Sequence, residues 1–222
     1  MKMGKTGILG GTFNPIHLGH LRAAHEVAET LGLDRVLFVP ALVPPHKDPA
    51  HAASADHRLE MVRLAVRDNP LFEVSDLELR RGGPSYTIDT LGELASAMPG
   101  EELYFIVGSE LFRTIDSWHC WERLFHASHF VVVHRPGYSF DPLKCCPLAL
   151  QRRIGYDKRE GGVEYYTHES SKQVISVPIV GLNLSSTRIR KLRSEGRSIR
   201  YLVPGAVERY IVDHNLYREV RP

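Results

Sequence analysis

Two histidines three residues apart, the second directly preceded by glycine, close the stretch TGILGGTFNPIHLGH at residues 6–20. At the start of a helix, His17 and His20 point to one side of its positively polarised first turn, which makes a compact site for an anion. Gly10 and Gly11, followed by Thr12 and Phe13, let a phosphate approach the backbone closely. A second stretch, LNLSSTRIRKLRSEG at 182–196, offers the hydroxyls of Ser185, Ser186 and Thr187 at another helix start, with Arg188 and Arg190 one turn inside. Free N–H groups at a helix N-terminus, hydroxyls and guanidinium groups together suit a polyphosphate. Taken singly, each stretch has a plainer reading. The glycine pair is a tight turn, the histidines cap a helix, and Ser185 caps a solvated or nucleic-acid-binding basic helix. A metal on His17 and His20 is a further alternative, although the spacing is not that of H-E-x-x-H and no acid intervenes.

These residues need a scaffold that brings loop-to-helix junctions to one edge. Apolar runs at 7–9, 35–40, 71–74, 102–108, 129–137 and 174–180 read as buried parallel strands. Helical patterns lie between them, one from Leu18 to Gly32 and one opening on Ser54 as N-cap. Alternation of this kind predicts an α/β fold, a doubly wound, Rossmann-like parallel sheet with helices on both faces, whose ligand cleft lies at the carboxyl ends of the strands. Two common phosphate motifs are excluded: the glycines do not fit G-x-G-x-x-G, and no G-x-x-x-x-G-K-[ST] occurs. Residues 138–172, with prolines, the Gly161-Gly162 pair and mixed charge, interrupt the rhythm and are expected to be an insertion or lid within a single domain spanning 1–222. Residues 203–217 predict a closing helix with Pro204 in its first turn.

Composition narrows the partners. The chain has 222 residues, 43% hydrophobic and 24% charged, with a net charge of +2, too small to argue for nucleic acid or a membrane surface. Its three cysteines, Cys120, Cys145 and Cys146, have no disulfide-framework or zinc spacing, which points to a reducing, cytoplasmic setting. No run approaches the ~20 apolar residues of a membrane span. Oligomeric state, monomer or homodimer, is left open.

In combination and in this order, GGTFNPIHLGH and LSSTRIR resemble the two signatures of the nucleotidyltransferase superfamily with its H-x-G-H motif. VPALVPPHK (39–47), GGPSYTIDTL (82–91), VGSELFRTIDSWHCWERL (107–124) and VVVHRPG (131–137) narrow the resemblance to the nicotinate-nucleotide adenylyltransferase family. H-x-G-H alone fits pantetheine-phosphate adenylyltransferases, cytidylyltransferases and class I aminoacyl-tRNA synthetases as well. The resemblance implies adenylyl transfer from ATP, with Mg2+, to nicotinate mononucleotide. A nicotinamide mononucleotide or phosphopantetheine acceptor, or a nucleotide-binding regulator without turnover, is the alternative. It further implies that His17 and His20 are catalytic. ATP would lie on Gly10, Gly11, Thr12, Phe13, His17, His20, Gly108, Glu110, Ser185, Ser186, Thr187 and Arg190. The acceptor would lie on Lys47, Thr87, Trp118, His119 and Arg135, and no protein side chain is assigned to the metal. The chain departs from the family pattern twice: Asn14 stands where many members carry Asp, and GSE at 108–110 where they carry Gly-Ala-Asp.

Overall fold

A computed structural model describes residues 4–44, 52–134 and 140–218. The chain alternates as expected through β1 (Lys5–Gly11), α1 (Leu18–Leu31), β2 (Arg35–Pro40), α2 (Ala55–Val66), β3 (Phe72–Val74), α3 (Leu77–Arg81), α4 (Thr87–Ala97) and β4 (Glu102–Gly108). There follow α5 (Ser109–Phe112), α6 (Trp121–Ala127), β5 (His129–His134), α7 (Pro142–Cys145), α8 (Leu148–Gln151), β6 (Ile154–Glu160), β7 (Val163–His168), β8 (Gln173–Pro178), α9 (Ser186–Ser194) and α10 (Gly205–Asp213). The strands form an eight-stranded sheet in the order β3-β2-β1-β4-β5-β8-β7-β6. Strands β1, β4, β5 and β8 pair in parallel, with Gly7 opposite Tyr104, Tyr104 opposite His129 and Phe130 opposite Val174. The fold is the doubly wound α/β type. Its central strands read as unbroken apolar runs because helices cover the sheet.

All six expected strands are present, and Ser54 caps α2 by accepting the His57 N–H at 3.3 Å. Pro204 occupies the N-cap of α10 rather than its first turn. From residue 140, the stretch expected to be an insertion or lid forms α7, α8 and the antiparallel hairpin β6–β7, which extends the sheet beyond β8. The Gly161-Gly162 turn supplies the two positive φ angles, 58° and 87°, that a tight hairpin of this kind needs.

The chain divides into two compact units, one drawn from residues 1–10, 23–37 and 86–181, the other from 11–22, 38–85 and 182–222. In the first, Phe105, Phe112, Phe125 and Phe130 form a buried aromatic cluster, with Phe125 stacked on Phe130 at 4.5 Å. Beside it His129 stacks on Tyr104 at 4.7 Å and its Nδ1 accepts the Gln173 N–H at 3.1 Å. Burial, then Lys172, pulls the His129 pKa from 6.5 to about 4, with Glu102 opposing. A histidine held neutral in the fold but free to charge when unfolded stabilises fully above pH 6.5, and that contribution is lost as pH falls toward 4. The loss is on the order of 3 kcal/mol when complete. Melting temperature is therefore expected to drop steadily between pH 7 and pH 5, and less steeply in His129→Gln. A flat profile in the parent protein would contradict this. In the second unit, α2 and α10 pack together through Met61, Val62, Val207 and Ile211, and the His57 ring meets the Tyr210 hydroxyl at 2.9 Å.

Candidate active site

The second unit holds the first signature stretch from Gly11 to His20 and the whole of the second. Gly10 and Gly11 are the last residues of β1 and not a turn. The Gly11 carbonyl accepts the Ala41 N–H at 2.9 Å, and a Cβ there would stand 3.3 Å from the Phe13 ring. Phe13 itself has φ +47° and is 3% exposed, its ring packed on Phe38 and edge-on to His20. What Phe13 offers a ligand is therefore its backbone, while the Thr12 carbonyl is taken by Arg58.

His17 immediately precedes α1 and His20 lies in its first turn. Their rings stack at 3.7 Å with 16° between planes. The His17 backbone N–H donates to His20 Nδ1 at 3.2 Å, so the proton of a neutral His20 ring sits on Nε2, which is then a hydrogen-bond donor. His17 is 5% exposed, and burial, its largest cause, lowers its pKa to about 4, so at neutral pH it too is an uncharged imidazole.

The glycine of the motif is explained by this packing. A Cβ on Gly19 would lie 3.1 Å from both Cε1 and Nδ1 of His17. Gly19→Ala is expected to displace that ring and lower kcat about tenfold or more. Melting temperature should change by only a few degrees, since crowding the buried ring offsets what Ala contributes over Gly in a helix, at most about 1 kcal/mol. Steady-state rates and a thermal melt check this, and unchanged kcat would refute it.

The N-terminus of α9 faces the same loop. Ser185 caps the helix, its Oγ accepting the Arg188 N–H at 3.2 Å. The Ser186 hydroxyl, expected to be a phosphate ligand, instead donates to the Pro15 carbonyl at 2.8 Å. Arg190 donates to the Asn14 carbonyl at 2.8 Å and lies 3.4 Å from the Thr187 hydroxyl, which is exposed. The structure thus binds the two stretches to each other through Ser186 and Arg190.

Two residues on which sequence reasoning was silent complete the cluster. Arg58 of α2, 3% exposed, sends its guanidinium into the carbonyls of Thr12, Ala41, Leu42 and Ala53. Tyr217, beyond α10, donates to Asn14 Oδ1 at 2.7 Å. The result is an array of neutral imidazoles, a guanidinium, a hydroxyl and helix-start N–H groups able to donate to phosphate oxygens.

A family profile described as Cytidylyltransferase-like matches residues 8–192, a span that contains GGTFNPIHLGH and LSSTRIR. A protein of Geotalea daltonii, named "Probable nicotinate-nucleotide adenylyltransferase", is 49% identical over 218 residues, covering 98% of this chain and all of that one. The chain belongs to the nicotinate-nucleotide adenylyltransferase family. A relative of the same name from Syntrophotalea carbinolica is 47% identical over 96% of this chain and 97% of its own length. Among solved structures, the Plasmodium falciparum nicotinic acid mononucleotide adenylyltransferase complexed with NaAD superposes with a TM-score of 0.72 at 21% identity, covering 96% of this chain and 97% of that one. That likeness supports the fold.

The remaining family positions lie in the first unit or outside the described residues. Lys47 and Arg135 fall outside. Thr87 opens α4, and its neighbour Tyr86 packs on the His119 ring at 4.3 Å, which draws those two positions together. Trp118 is half-buried and meets Phe105 edge-on at 6.1 Å. Trp121 is also half-buried, covered by the Arg153 guanidinium at 5.8 Å. Gly108 ends β4, where a Cβ would meet nothing within 4 Å, and Glu110 is exposed in the first turn of α5. A cleft of about 590 Å³ in this unit is lined among others by His134, Asp141, Lys144, Tyr156 and Glu164, and by none of the expected site residues that lie among the described residues. No group of three or more His, Cys, Asp or Glu side chains suited to a metal occurs among the described residues. No helix among them is long and apolar enough to cross a membrane.

Proposed function

We propose that this chain transfers the adenylyl group of ATP to nicotinate mononucleotide, forming nicotinate adenine dinucleotide and pyrophosphate, a cytoplasmic step of NAD biosynthesis. The observation that carries the chemistry is the His17–His20 stack, with His20 Nε2 as donor, held against the start of α9. The choice of acceptor rests on the family. The acceptor's phosphate has a second pKa of about 6 and is largely dianionic at neutral pH. Its oxygen attacks the α-phosphorus of ATP, the bond from that phosphorus to the bridging β-oxygen breaks, and pyrophosphate leaves. No general base is needed, so the protein's task is alignment and charge stabilisation.

In this reading His20 donates from Nε2 to the α-phosphate as its charge redistributes, and His17 supports it as a neutral ring. Arg190, Thr187 and the first N–H groups of α9 receive the β- and γ-phosphates, beside the backbone of Gly10 to Phe13. Ser185 and Ser186 act by holding α9 in place. Gly108 and Glu110 line the ATP side, and Trp118 stacks on the pyridine ring near Thr87 and His119, with Lys47 and Arg135 supplying charge. Mg2+ enters as the counter-ion of ATP. The loop's imidazoles, amides and hydroxyls are poor magnesium ligands beside phosphate oxygens and water, so the triphosphate itself would hold the ion, whose charge would help to neutralise the leaving pyrophosphate.

The decisive experiment offers nicotinate mononucleotide, nicotinamide mononucleotide and phosphopantetheine in turn, with ATP and Mg2+, and reads pyrophosphate release. The acid is expected to be preferred over the amide at least about tenfold in kcat/KM, ~1.4 kcal/mol. Equal use of acid and amide, or no turnover, would defeat the proposal.

A further inference from the structure

We propose that Tyr217 is a positioning residue for this reaction, acting through Asn14 to hold the loop that presents His17 and His20. The inference rests on the adenylyl-transfer reading of the same site. Asn14 lies between Phe13 and the histidines and is 8% exposed. Its Oδ1 receives the Ala53 N–H at 3.1 Å and the Tyr217 hydroxyl at 2.7 Å, across 203 residues of chain. A backbone N–H can only donate, so the acceptor atom of the carboxamide is the oxygen and the phenol donates to it. Burial raises the phenol's pKa, with Arg190 and Arg58 opposing, and keeps the hydroxyl a donor throughout the working pH range.

The same two residues of the loop are gripped on their backbone. The Asn14 carbonyl takes Arg190, and the Pro15 carbonyl takes Ser186. Helix α9 therefore holds the main chain of the loop while Tyr217 and Ala53 hold its side chain. Removing either grip leaves residues 14 and 15 restrained from one side, two residues before His17.

Helix α10 stops in a way that delivers Tyr217 to Asn14. Asn215, φ +52°, takes the left-handed conformation in which helices ordinarily end, and the Asn215 N–H to Val212 carbonyl bond at 3.1 Å and the Leu216 N–H to Ile211 carbonyl bond at 3.0 Å close that turn. Tyr217, φ +58°, is left-handed too, a conformation that a bulky residue seldom adopts, and its hydroxyl is anchored on Asn14.

The test is Tyr217→Phe, which keeps the ring and removes the donor, together with Asn14→Ala and the double variant. We expect Tyr217→Phe to lower kcat about tenfold with KM for ATP and acceptor within threefold. The double variant should be no slower than Asn14→Ala alone, because both changes break one link. Hydrogen exchange in a peptide covering residues 11–20 should quicken in Tyr217→Phe. Tyr201→Phe, at an exposed tyrosine of the same unit, should change neither reading. Unchanged kcat and exchange in folded Tyr217→Phe, additive effects in the double variant, or a loss confined to KM would each overturn the proposal. Should Tyr217→Phe not fold, Asn14→Asp decides: its carboxylate still accepts both donors and should keep kcat within threefold, and a loss equal to that of Asn14→Ala would refute the role. If the parent protein shows no adenylyl transfer, the functional reading fails, while the exchange measurement still judges the clamp.

Discussion

Replacing His20 with Ala is expected to lower kcat about a hundredfold or more while leaving the affinity for ATP within a few-fold. The His17 N–H fixes His20 Nδ1 as acceptor, which leaves the ring proton on Nε2, the donor of the proposed mechanism. A donor aimed at oxygens whose charge shifts in the transition state contributes to rate more than to binding. About a hundredfold corresponds to ~2.7 kcal/mol, the scale observed on removing one such donor. The variant also loses the ring that stacks on His17 and meets Phe13 edge-on, so its fold is verified by circular dichroism before rates are compared. Weaker ATP binding at unchanged kcat would make His20 a ground-state ligand instead.

The second large effect is on stability. Arg58→Met should destabilise the protein by about 3–5 kcal/mol, measured by urea unfolding, even though Met preserves much of the apolar stem. The guanidinium satisfies four backbone carbonyls, those of Thr12, Ala41, Leu42 and Ala53, and each buried acceptor left unpaired costs about 1 kcal/mol or more. Burial lowers its pKa, and Tyr217 and Glu78 favour the charged form. Arg58→Lys should recover less than half of the loss, because a single ammonium cannot reproduce a planar fork to four oxygens. A change below about 1 kcal/mol in Arg58→Met would show that water replaces the side chain without penalty.

Much of the fold was legible because its signals are local. The runs RVLFVP and ELYFIVG match β2 and β4 residue for residue, since a strand covered on both faces needs unbroken apolar sequence. The hairpin β6–β7 was missed for the converse reason. Its outer strand, IGYDKRE, is exposed except at Ile154 and carries no apolar alternation. The Gly161-Gly162 pair was the available sign, and it was read as punctuation rather than as a hairpin turn. The two signature stretches were legible in their residue types, because two imidazoles after a strand and a serine-threonine-arginine helix start combine few other ways.

The sequence by itself determined the alternation of strands and helices, the family, and the donor residue types of the candidate site. Only the tertiary structure decided how each donor is employed. It assigns the Ser186 hydroxyl to Pro15, buries the ring of Phe13, makes Gly19 a matter of room for His17, and joins Arg58 and Tyr217 to a loop far away in sequence. Periodicity and motif spacing state which face of an element a residue occupies. Which carbonyl waits across the gap depends on pairings between distant segments, and a hydrogen bond needs its partner within about 3 Å at the right angle, a condition that no local pattern contains.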